Sequence, residues 1–101
     1  MSAVIQAEPA GRAVSAYADM AEAEGLQIRV ESSTVYAVWY QADFARLFAW
    51  FGGNERQPLI SRYCYLDVEP ERAAGLLAAP SKGSYLHARI KTQGYRCLGP
   101  L

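Results

Sequence analysis

Histidine is almost missing from this chain: His87 is the only one. A metal site built on a histidine pair is therefore excluded, and no GxSxG elbow is present to place a serine nucleophile beside a base. Cysteine is scarce too. Cys64 and Cys97 form no CxxC and no recognisable metal spacing, so both read as reduced thiols buried as small hydrophobes. No apolar run approaches membrane-spanning length, and "MSAVIQAEPAGR" lacks the basic start and continuous apolar stretch of a signal peptide. The expectation is a cytoplasmic protein. "FGGNERQ" has glycines but lacks the lysine and serine of a phosphate loop. Net charge is also lacking, at zero, which removes any bulk electrostatic argument for nucleic acid or membrane. Catalysis, a cofactor and a metal are not expected.

What is present suits one packed domain: 101 residues, 51% of them hydrophobic, near the lower end of what builds its own core. The charge is unevenly spread. Residues 1–31 carry two arginines against five acids, and residues 32–101 carry eight bases against five acids. From Lys82 onward there is no acid at all, only Lys82, Arg89, Lys91 and Arg96, with His87 among them. Such asymmetry reads either as an anion-binding end or as two solvated faces.

Periodicity predicts the elements. Val14, Tyr17, Ala18 and Ala21 recur at helical spacing, which predicts a helix over about 11–24 with Gly25 as its stop. The β-branched and aromatic residues from Thr34 to Tyr40 predict a strand, preceded by a short extended piece over 26–30. "RLFAWF", 46–51, predicts a second strand, and "LISRYCYLDV", 59–68, a third. Short links between them predict an antiparallel meander. Pro70 suits a helix start, with Glu69 or Asp67 as cap, and Pro80 ends that helix at Ala79. Ser81 then caps a second helix over 82–91. The apolar face of the pair is predicted from Ala73, Leu76, Leu77, Leu86 and Ile90. The fold class expected is α+β: a three-stranded antiparallel β-meander, two short C-terminal helices packed on one face, and an added N-terminal helix.

Alternation along the strands assigns faces. Leu47, Ala49 and Phe51 share one side, Arg46, Phe48 and Trp50 the other. In the third strand Ile60, Cys64, Leu66 and Val68 point one way, and Tyr63 and Tyr65 the opposite way. Grouping Phe48, Trp50, Tyr63 and Tyr65 gives an expected aromatic face, either a platform for unpaired bases or a surface covered by the N-terminal helix or a second subunit.

Over about 30–95 the sequence resembles the KTSC domain, named for its occurrence at the C-terminus of some lysyl-tRNA synthetases. The matching pieces are "VESSTV" with Tyr40 behind it, "LFAWF", the "YCY" tyrosine pair, "LLAAPSKGSYL" and "RIKTQGY". The resemblance divides the chain into an N-terminal extension with an amphipathic helix, 1–29, and a KTSC-like domain, 30–101. It carries no established activity; company with a synthetase implies RNA by association. The link "GGNERQPLIS", the aromatic Phe48 and Trp50, and the N-terminal helix depart from the family's pattern. The added helix would cover the added aromatics.

Two readings stay open. One is a non-enzymatic RNA-binding module, for tRNA or a single strand, in which Ser81, Lys82, Gly83, Tyr85, Arg89, Lys91 and Arg96 hold phosphates at the Ser-Lys-Gly corner and the basic helix. The other is a protein-interaction module, an adaptor, inhibitor or homodimer, that uses the aromatic face.

Overall fold

The computed structural model describes residues 19 and 22–101. The expected helix over 11–24 lies mostly outside the described residues; residue 19 and residues 22–26 (α1) are helical, so the helix continues past Gly25. Five strands follow: β1 (Ile28–Arg29), β2 (Val35–Gln41), β3 (Arg46–Phe51), β4 (Ser61–Tyr65) and β5 (Cys97–Leu98). They lie side by side in chain order, each pair antiparallel. This corrects the three-strand expectation. The central strands are the predicted meander, and the two edge strands, two residues each, are too short to print a period of two on the sequence.

Between β2 and β3 the chain makes a single 3₁₀ turn, Ala42–Phe44, and reverses through Ala45 at φ 51°. Phe44, out of place in turn material, is 61% exposed beneath the Arg46 guanidinium, 4.7 Å from its ring centroid. After β4, Asp67 takes φ 58° and breaks the alternation. Leu66 and Val68 therefore enter opposite cores, although the sequence pattern put them on one side.

Helix α2 (Pro70–Ala78) starts on proline as expected, with Glu69 at the N-cap position, but the Glu69 side chain makes no capping hydrogen bond. The Glu69 carboxylate instead accepts the Tyr95 hydroxyl at 2.5 Å. Ala79 is extended at ψ 136°, as the following proline requires, and Ser81 caps α3 (Lys82–Leu86) by accepting the Ser84 amide at 3.3 Å. The second predicted helix is thus five α-helical residues that run straight into a π turn, His87–Lys91.

The sheet is apolar on both sides. On the first, Leu76, Leu86 and Ile90 pack on Val35, Val38, Leu47, Ala49, Tyr65 and Val68. A bulge at Tyr36 lets Val35 and Val38 share that side despite their odd spacing. Leu77 stays 44% exposed, leaving Ala73 and Leu76 as the buried stripe of α2. On the second side Phe48, Trp50, Ala37, Cys64 and Leu66 form a separate cluster with Ala23 of α1 buried in it. Two ion pairs hold α1 there: Asp19 to Arg46 at 2.6 Å and Glu24 to Arg62 at 2.7 Å. The Gln41 amide also donates to Asp19 at 3.1 Å. Among the described residues no helix is long and apolar enough to cross a membrane.

Candidate functional site

Register decides what the aromatic residues can do. Leu47 pairs with Tyr65 and Ala49 with Tyr63, whereas Phe48 pairs with Cys64 and Trp50 with Arg62. Residues opposite each other in an antiparallel pair share a face. Phe48 and Trp50 therefore lie on one side of the sheet, Tyr63 and Tyr65 on the other. The expected four-residue aromatic face does not form: alternation within each strand was read correctly, but the phase between strands was not. Phe48 and Trp50 are also buried, at 0% and 1% exposure; Phe48 stacks on Trp39 and on Trp50, at centroid distances of 5.5 and 6.3 Å. They are core.

The Ser-Lys-Gly corner opens onto a shallow cleft of about 690 Å³ against Ser32, Ser33 and Thr34. Two pieces of the family resemblance meet here, "ESST" and "PSKGSY". Gly83 makes the meeting possible, since a β-carbon would sit 2.5 Å from the Thr34 hydroxyl. The polar groups of the corner largely serve the fold. Ser81 Oγ is the cap and bonds Ser84 Oγ at 3.0 Å, and the Lys82 ammonium donates to the Ala79 carbonyl at 2.5 Å. Ser32 Oγ accepts the amides of Thr34 and Val35 at 3.2 and 3.1 Å. Tyr85 is packed against the first core and donates its hydroxyl to the Arg72 carbonyl at 3.1 Å. Arg89 is exposed on the far side of that tyrosine, beside Glu69, Glu71 and Arg72.

A different concavity, about 520 Å³, lies at the end of the sheet that α2 and α3 leave uncovered. Phe51, Tyr63, Tyr65 and Tyr95 wall it, with Lys91 and Cys97 at its rim. Phe51 and Tyr63 meet edge to face, centroids 5.6 Å apart and planes at 72°, and the Lys91 ammonium stands 5.4 Å from the Phe51 centroid. None of the nine lining residues is acidic. The Tyr65 hydroxyl is driven well above its ordinary range by burial and by Cys97, its cross-strand partner, and stays a neutral phenol. Burial also raises the Cys97 thiol, against smaller opposing effects of the Tyr65 hydrogen bond and the Lys91 charge. Cys97 is exposed, which corrects the expectation of two buried thiols; Cys64 alone is buried, and burial pushes its thiol up to about 12.

Of the residues singled out in the sequence, the groove gathers Tyr63, Tyr65 and Lys91. Ser81, Lys82, Gly83 and Tyr85 stand at the corner and in the helix packing behind it. Arg96 is exposed just before β5, with its carbonyl accepting the Leu66 amide at 2.8 Å. Thr34, Phe51, Gln57, Ser61, Tyr95 and Cys97 were missed. Phe51 was legible from its face, shared with Leu47 and Ala49. Ser61 was legible in the same way, two residues before Tyr63 in the third predicted strand, whereas Thr34, Gln57, Tyr95 and Cys97 come from loops and an edge strand, where no periodicity marks them.

An antiparallel meander with two short helices on one side and α1 on the other defines an α+β protein. Comparison with families places it more closely: residues 31–95 match the KTSC domain, and the chain belongs to that family. A solved structure of a KTSC domain protein from Yersinia pestis is similar, with 26% identity and a TM-score of 0.60 over 71% of this chain and 92% of that one. No curated protein matches the chain. The family match begins after α1 and β1, so the acids of these two ion pairs, Asp19 and Glu24, lie outside it while Arg46 and Arg62 lie within.

Proposed function

We propose that this protein is a small non-enzymatic binding module for RNA, acting through its basic C-terminal segment. One observation carries the reading: Arg89, Lys91 and Arg96 are all exposed, make no ion pair among the described residues, and follow a point beyond which the chain has no acid. Lys82 stands in the same acid-free stretch but already serves the Ala79 carbonyl with one of its three donors. The net charge of zero makes this a local patch, so affinity should be modest and strongly salt-dependent.

Fluorescence anisotropy with labelled single-stranded RNA and tRNA, at low and moderate salt, tests the reading. Binding should weaken with salt at a logarithmic slope of about −0.7 per phosphate contact on a single strand. Replacing Arg89, Lys91 and Arg96 together by glutamine should flatten that slope. Absence of binding at low salt sinks the RNA reading and leaves the protein-interaction module, which must then use a surface other than the buried Phe48 and Trp50.

A further inference from the structure

The groove at the open end of the sheet has the composition of a base-binding site, and we propose that it seats one unpaired base of the RNA, with the adjoining phosphate on Lys91. This rests on the RNA reading and names the part of the ligand that the basic segment alone does not distinguish.

Three features support the assignment. The first is the aromatic wall. In an edge-to-face pair one ring turns its edge to the other, so the faces of that ring are not consumed by the pair, and Phe51 and Tyr63 both line the groove. Tyr95 adds a half-buried phenol ring, and every base has a π-face to stack on such rings. The second feature is unspent hydrogen-bonding capacity. The side chains of Gln57 and Ser61 line the same groove and make no hydrogen bond among the described residues. An amide and a hydroxyl offer donors and acceptors to a base edge. The third is charge: the lining holds one cation, Lys91, and no carboxylate. An apolar site with a few convergent polar groups and a single positive charge suits a base with its phosphate, and the volume falls within the ordinary range for small ligands.

The corner cleft does not compete for this role. Glu31 is part of its lining, and the hydroxyls of Ser81 and Ser32 are spent on backbone amides. In the groove the side chains of Gln57 and Ser61 are unspent.

Cys97 provides a readout that needs no substitution, because its thiol is exposed at the groove while Cys64 is fully buried. The probes are short oligoadenylate and oligouridylate strands and abasic strands of equal phosphate number. At low salt at least one base-bearing strand should bind roughly 5- to 150-fold more tightly than its abasic counterpart, the worth of one base stacked on an aromatic side chain. At matched occupancy it should slow alkylation of Cys97 more than the abasic strand does. Tyr63→Ala should erase most of the difference between the strands; if that variant proves unfolded by circular dichroism, Lys91→Gln and the Cys97 protection carry the test. Equal binding of base-bearing and abasic strands, with Cys97 equally reactive under both, overturns the groove assignment while leaving a phosphate-only RNA module standing. Failure of every strand to bind overturns both.

Discussion

Gly75 sits inside α2, where replacing glycine by alanine ordinarily stabilises a helix by about 1 kcal/mol. Here the sign should reverse. A β-carbon at Gly75 would collide with the Tyr85 hydroxyl, and it would stand 2.8 Å from the ring carbon Cζ and 3.2 Å from Cε2. Tyr85 cannot swing aside freely, since its hydroxyl holds the Arg72 carbonyl one turn earlier on the same helix and its ring is packed on the first core. Overpacking of this kind costs about 1–3 kcal/mol. Set against the propensity gain, Gly75→Ala should destabilise by about 1 kcal/mol, which for a chain of this size lowers Tm by about 4 °C.

Urea denaturation of four proteins measures it: the natural chain, Gly75→Ala, Tyr85→Leu and the double variant. Leucine removes all three crowding atoms, so in that background Gly75→Ala should recover its helix-stabilising sign. The coupling between the two sites should then be about 2 kcal/mol, well outside the ~0.5 kcal/mol within which independent sites add. If Gly75→Ala stabilises the natural chain, and the two changes simply add, then Gly75 is not what lets α2 and α3 approach.

Asp19→Ala should destabilise by about 2–3 kcal/mol, because it removes a carboxylate from Arg46, whose side chain is only 5% exposed, and denaturant midpoints read this directly. Ala23→Asp puts a charge into the cluster of Phe48 and Trp50 and should shift tryptophan emission to the red as α1 lifts away; unchanged emission in a folded variant would contradict the docking. Alkylation of the native protein should label Cys97 alone. Its rate should keep rising through and beyond pH 9, since burial holds that thiol above its ordinary range, and Cys64 should react only on unfolding. Glu69 titrates below its ordinary range because Tyr95 donates to it, so the stability this pair confers is present above the unfolded carboxyl's pKa of 4.5 and lost as pH falls through the folded value. Tyr95→Phe should return the Glu69 carboxyl toward 4.5 in a carbon-detected NMR titration.

The elements with a strong local imprint were legible. "RLFAWF" is β3 to the residue, Pro70 opens α2, and Ser81 caps α3. Misreadings fall where the cause is not local. Asp67 at φ 58° switches Val68 to the other core, and the residue type alone does not announce it. Register between β3 and β4 is set by the long connection that starts at Gly52 and Gly53, both at positive φ, and by packing at a distance, so alternation within each strand leaves its phase free. One step of phase moved Tyr63 and Tyr65 away from Phe48 and Trp50. The groove escaped notice for the same reason: Thr34, Gln57, Tyr95 and Cys97 come from three separate stretches of chain that only the closed sheet brings together.

That single step of register also separates the two sides of the sheet by role. On the side of Phe48 and Trp50, burial is completed by α1, whose charged residues reach over the cluster to Arg46 and Arg62. An apolar surface closed by ion pairs to its own chain is spent on stability. On the other side α2 and α3 reach only as far as Leu47, Tyr65 and Ala49, and the strand ends at Phe51, Ser61 and Tyr63 are left partly open. Had Tyr63 and Tyr65 faced α1, only Phe51 and Tyr95 would have offered aromatic surface beside Lys91. The observed phase adds Tyr63 edge to face with Phe51, so that the acid-free end of the chain borders a wider aromatic surface at the end of the sheet.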